Sequence, residues 1–398
     1  MFDKIKTHFL LILLLLLASG LFLLYLKIQP RLDHDFSALF DANKYLDVYM
    51  YFSGENQAYE VVFPINSRIL VPWIASLMPF EEPVNNFLLV NYFFMILSVI
   101  AIYYLWISMG LSKGFIMTGF FWLLIHWTGI IRLNIFDPVT VDLPLYLFQA
   151  LLILIIIKKQ FHWLLILAPL ATLQKESFMG LMVISFITGL YLYIKKNGMS
   201  RSSLLIVFLA LVLSFVAREI TNYYFPPADE GRNSMMVLLF HARESILNPF
   251  RLVRWLIGIF TAYGPLLILA VWYKIIHKNI TSGNEFLIML SLTYLGFSLL
   301  GGGDFARLAF LGFPFIMSWI LISLENVRGF LFRIAFIMGL PLMKLFRNIP
   351  DPAVTGWERF NNFYPEFANP VIVLLWLGYG VLCVLAFRII HKKLSLLP

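Results

Sequence analysis

Five short polar stretches interrupt an otherwise apolar chain, and each carries residue types that handle protons or anions. The first has Asp33, Asp35, Asp41 and Asp47 within 15 residues, interleaved with Tyr45, Tyr49, Tyr51 and Tyr59. Carboxylates in such a setting can accept a proton from a hydroxyl group. They can equally cap helices, the plainer role for any one aspartate taken alone. The second stretch runs from Arg132 through Asp137-Pro138 to Asp142. Asp137 before proline reads as a helix N-cap. Asp142 lies a turn further in, where a charge needs a cavity or a partner.

The third stretch is Gln174-Lys175-Glu176-Ser177. Lys159 and Lys195 lie about 35 residues apart, and two helical arms plus this turn must fit between them. At ~1.5 Å per residue each arm reaches barely 25 Å. Lys175 and Glu176 are therefore expected at or below the membrane interface in a wet pocket, where ionisable residues mark function. The plainer reading is a Lys–Glu pair closing a hairpin. The fourth stretch holds Asp229-Glu230-Gly231-Arg232, then His241-Ala242-Arg243-Glu244, Arg251 and Arg254. The fifth is Gly301-Gly302-Gly303-Asp304-Phe305-Ala306-Arg307. Glycines let backbone approach a ligand, Asp304 can cap the next helix, and Arg307 offers a planar fork suited to phosphate.

The elements that must position these residues are membrane spans. The chain of 398 residues is 61% hydrophobic and 13% charged, with mean hydropathy +0.84. A soluble fold needs more polar surface than that. Twelve apolar stretches stand out, near 8–26, 84–107, 115–131, 140–157, 161–173, 177–194, 202–217, 255–273, 285–300, 308–324, 328–343 and 370–388. The expected fold is all-α: a polytopic integral membrane protein of about 12 transmembrane helices with both termini cytoplasmic. Residues 1–398 form one transmembrane domain. Its large external loops are 27–83, 218–254 and 344–369, and an interfacial helix runs from Arg68 to Pro79 in the first. The first span reads as a retained signal anchor. The lone Cys383 permits no disulfide within the chain.

Short loops bearing Lys113, Lys158-Lys159, Lys195-Lys196 and Arg328 orient the chain by the positive-inside rule. Only Asp3, Glu285 and Glu325 then fall inside, which leaves 19 of the 22 carboxylates outside. The net charge of +8 reflects this topology. Its basic residues are scattered in pairs, which argues against nucleic acid as a partner.

This layout resembles the GT-C class of polytopic glycosyltransferases, which draw on polyprenyl-phosphate-linked sugars at the extracytoplasmic face. Asp33-His34-Asp35 matches their modified Asp-x-Asp in the first external loop. Asp35-Phe36 followed by Ala42 resembles the Asp-Phe…Ala stretch of bacterial members. Phe63-Pro64…Arg68-Ile-Leu-Val-Pro72 resembles their juxtamembrane helix, and Lys175-Glu176 and Asp304-x-x-Arg307 their later polar motifs. The resemblance implies transfer of a sugar to a lipid or glycan acceptor, with inversion. Asp35 is expected as base and Asp33 as second choice, with Asp41 and Asp47 also competing. Lys175, Arg243 and Arg307 would clamp the lipid phosphate, Asp142 and Glu176 would orient sugar hydroxyls or hold Lys175, and Arg68 would contact substrate. No cofactor is expected; a divalent metal at Asp33/Asp35 is conceivable but not favoured, since phosphate-binding cations make one unnecessary. Membrane lipids surround the protein, and a bacterial inner membrane is favoured, with the site facing the periplasm. The rival readings are a secondary transporter or flippase of lipid-linked or small solutes, which would carry charges at mid-membrane, and a glycan polymerase or ligase using the arginines of 218–254. A structural or receptor role is a further alternative.

Overall fold

A computed structural model of the chain describes residues 2–34, 40–229, 234–277, 285–325, 327 and 329–395. The described residues are helical and contain no strand. The helices in the first half are α1 (Phe2–Ile28), α2 (Ala42–Ser53), α3 (Leu70–Ser76), α4 (Pro83–Ser108), α5 (Lys113–Ile125), α6 (Arg132–Phe136), α7 (Pro144–Ile157), α8 (Leu164–Gln174) and α9 (Ser177–Ile194). Those in the second half are α10 (Arg201–Tyr224), α11 (Ser234–Leu247), α12 (Pro249–His277), α13 (Glu285–Leu300), α14 (Phe305–Phe310), α15 (Phe313–Leu324), α16 (Gly329–Gly339), α17 (Pro352–Thr355), α18 (Trp357–Phe363) and α19 (Pro370–Ser395).

Among the described residues, six helices, α1, α4, α9, α10, α12 and α19, are long and apolar enough to cross a membrane. Six shorter apolar helical stretches pack among them. Long uncharged runs favour helix because the backbone satisfies its own polar groups within the segment. Proline opens α4 and α7, where its missing N–H costs nothing. Inside α12 the pair Gly264-Pro265 breaks the helix, with Gly264 at φ 50°.

The core lies among α4, α5, α7, α12 and α15. Trp106, Trp122, Phe120, Phe310 and Phe313 are fully buried there. Both indoles are satisfied: Trp106 Nε1 donates to Ser318 Oγ (2.8 Å) and Trp122 Nε1 to the Ala262 carbonyl (2.8 Å). The outer helices are the opposite, since α1 buries 22% and α19 only 17% of its apolar stretch. Such broad exposed apolar faces suit hydrocarbon and not water.

The two ends of the bundle differ. At one end lie the basic connections, where Ser112 N donates to Glu325 Oε1 (3.1 Å) and Asn197 Nδ2 to Glu285 Oε1 (3.4 Å). At the other end the polar loops pack together. Leu32, Trp127, Phe136, Ala306, Ile349, Phe360, Phe363 and Tyr364 form one apolar cluster drawn from loops and from α6, α14 and α18. A second cluster joins Tyr45, Val48 and Tyr49 of α2 to Val71 and Ala75 of α3 and to Val139 and Val141. The expected interfacial helix is a single 3₁₀ turn, Ile65–Ser67, followed by seven residues of α3. It leaves Trp73 and Leu77 exposed.

Candidate functional site

Asp142 sits just before α7, in a turn tied down by Asn91 Nδ2 donating to the Pro138 carbonyl (2.9 Å). Its two oxygens take different cations. Lys175 Nζ donates to Oδ1 at 2.6 Å, and Arg307 donates to Oδ2 through Nη2 at 2.6 Å and Nε at 2.8 Å. Lys175 closes α8, and the neighbouring Gln174 side chain donates to the Val141 carbonyl, which registers the two turns. Arg307 is placed by α14, whose N-cap Asp304 accepts from the Arg307 backbone N–H (3.4 Å). Burial alone would raise the Asp142 pKa. The two cations outweigh it and hold the carboxyl below the usual range.

Glu176 faces another way. It receives both prongs of Arg68, Nε at 2.9 Å and Nη2 at 2.5 Å, while Arg68 Nη1 donates to Tyr45 OH at 2.9 Å. Burial would raise the Glu176 pKa too, and Arg68 pulls it below the usual range. The fork–carboxylate geometry is the strong form of this contact. Lys175 and Glu176 thus do not pair with each other. Consecutive residues at a helix junction point apart, so each finds its own partner.

Six residues singled out in the sequence therefore gather at the polar-loop end as two ion-paired groups, Arg68–Glu176 and Lys175–Asp142–Arg307 with Asp304, joined through the Lys175–Glu176 backbone. Arg243 does not join it and stands exposed on α11. Arg251, from the same stretch, turns to backbone instead, donating to the Gly302 carbonyl at 2.6 Å. Asp35 lies outside the described residues; its neighbour Asp33 is exposed. Asp137 is not an N-cap: it closes α6, and the next helix waits until Pro144. Its Oδ1 lies instead 3.3 Å from His34 Nε2. The contact is an ion pair only when the imidazole is protonated, and the two atoms are not aligned as a hydrogen bond.

Between these groups lies a cleft lined by Thr128, Asn134, Asp137, Thr140, Asp142, Tyr146 and Arg307, with about 10 Å³ of free space. That is room for about one water.

Glu366 was not visible as a site residue from the sequence. It is wholly buried, accepts from Ala306 N–H at 2.8 Å, and sits beside Asp304. Burial and then Asp304 push its pKa up to about 8. Among the described residues, no group of three or more His, Cys, Asp or Glu is arranged to hold a metal.

No family model, curated protein or solved structure matches this chain.

Proposed function

We propose that the chain is a GT-C-type glycosyltransferase of about 12 transmembrane helices. It moves a sugar from a polyprenyl-phosphate-linked donor to a lipid or glycan acceptor, in a bacterial inner membrane with the site facing the periplasm. The observation that carries this reading is the approach of His34 to Asp137, 3.3 Å apart. Asp137 lines the same cleft as Asp142 and Arg307. His34 follows Asp33 in the acidic first-loop motif, and Asp137 lines a cleft that also holds Arg307 and the Lys175-bound Asp142.

The chemistry needs that pairing. The acceptor hydroxyl gives its proton to Asp35, with Asp33 as second choice, and its oxygen attacks the anomeric carbon. The bond from that carbon to the phosphate oxygen breaks, and the electron pair leaves on the lipid phosphate. No strong acid is needed for such a leaving group. Arg307 and Lys175 meet the developing negative charge, already held in place by Asp142. Arg68 and Glu176 hold the adjoining wall. Attack without a covalent intermediate inverts the anomeric centre.

The test is a panel of radiolabelled polyprenyl-phosphate sugars given to purified protein with lipid and glycan acceptors. The reading expects labelled product and released lipid phosphate in equal amounts. Solute flux into liposomes without transfer would replace it by the transporter reading.

A further inference from the structure

A second cavity lies beside the polar loops, away from the Asp142 network. It holds about 370 Å³ and is lined by Lys344, Arg347, Asn362, Trp376 and Tyr379 among others. That volume falls within the ~300–1,000 Å³ of small-molecule sites. One wall is cationic and polar, from the segment 344–363. The other is apolar and aromatic, from the first turns of α19. Among the described residues, neither Lys344 nor Arg347 belongs to an ion pair.

Lys344 is held firmly. Its ammonium donates to the Phe363 carbonyl and lies over the rings of Phe363 (3.9 Å) and Trp127 (4.5 Å). Its backbone carbonyl, with those of Met343 and Arg347, accepts from the buried Arg132. Burial lowers the Lys344 pKa to about 7, and the carboxyl beside it, Glu366, is pushed up to about 8. An anion in the cavity would favour the charged form of Lys344. Below the cavity, α19 leaves Val371, Leu374, Leu375 and Val381 exposed along an apolar helix long enough to span a membrane.

We propose that this cavity binds the phosphate headgroup of a membrane amphiphile, with Lys344 and Arg347 on the phosphate and the hydrocarbon chain lying along α19. Snorkelling cations above an apolar face suit that ligand, and Trp376 and Tyr379 suit the headgroup level. The site goes beyond the proposed transfer reaction and rests on that reading only for the membrane setting.

The test uses the full-length protein in phosphate-free maltoside micelles, with tritiated farnesyl monophosphate as probe and inorganic phosphate and farnesol as competitors. Arg347 is exposed, so Arg347→Gln keeps the fold and should weaken probe binding roughly tenfold, the loss of one charge-assisted contact. Lys344→Gln should do the same. Each competitor alone should displace the probe only at concentrations tenfold or more higher. Equal affinity in wild type and Arg347→Gln would overturn the proposal. So would displacement by inorganic phosphate as effective as by unlabelled probe, which would mark a free-anion site. Intact binding in a protein that transfers no sugar supports the pocket and counts against the transferase reading alone.

Discussion

Arg307 reaches Asp142 across 165 positions of sequence and places both Nε and Nη2 on one carboxylate oxygen, at 2.8 and 2.6 Å. The other oxygen is left for Lys175. One side chain thereby joins α7, α8 and α14. Asp142→Asn leaves Lys175 without a carboxylate and Arg307, partly exposed, with only Asp304 at 3.9 Å, which costs about 3 kcal/mol. Thermal unfolding in detergent should show a clear fall in Tm. Lys44→Ala, which breaks the exposed Lys44–Asp41 pair, is the control and should cost about 0–1 kcal/mol. Equal effects from the two would mean that the network is not a buried framework.

Arg68 uses its whole fork, two contacts on Glu176 and one on Tyr45. Arg68→Lys keeps the charge and loses the planar geometry. Its effect should exceed that of Tyr45→Phe, which removes one hydrogen bond worth about 0.5–1.5 kcal/mol. Chemical denaturation of the three proteins in micelles orders them. Lysine matching wild type would show that charge alone suffices.

Gly258 lets α12 lie close against α14. A Cβ there would come within 2.5 Å of Phe305 Cβ and 2.9 Å of the Ala306 backbone N. Gly258→Ala must displace the helix that carries Arg307, at an overpacking cost of about 1–3 kcal/mol. Sugar transfer should drop while the protein stays folded. Unchanged transfer would mean that the placement of Arg307 has slack.

Glu366 gives a pH signature. Its folded-state pKa, about 8, lies above the ordinary 4.5, so its contribution to stability is full below about 4.5 and is lost as pH rises towards 8. Each unit of such a shift corresponds to about 1.4 kcal/mol. Wild type should therefore lose stability relative to Glu366→Gln between pH 5 and pH 8. Parallel Tm profiles for the two proteins would show that the carboxyl is not held neutral.

The helices were legible in the sequence because uncharged runs of this length allow little else, and α9 and α13 fall where the apolar pattern puts them. The site was legible as residues and not as pairings. Lys175 and Glu176 look like a pair on paper, but adjacent positions at a turn cannot face each other. Asp137 carries the N-cap pattern, yet the helix starts only at the later proline, Pro144, with Leu143 in the cap position. Glu366 stands in an aromatic loop with no motif around it, and only the docking of that loop against α14 buries it beside Asp304. α2 was missed because its tyrosines and aspartates read as a solvated loop until α3 covers one face.

The most direct test of the account is radiolabelled sugar transfer from a polyprenyl-phosphate donor by purified wild type beside Asp35→Ala, with Tm confirming that both are folded. The account predicts transfer by wild type and its loss in the variant. Undiminished transfer by Asp35→Ala would contradict the assignment of the base, and no transfer by wild type across a broad donor panel would contradict the account as a whole.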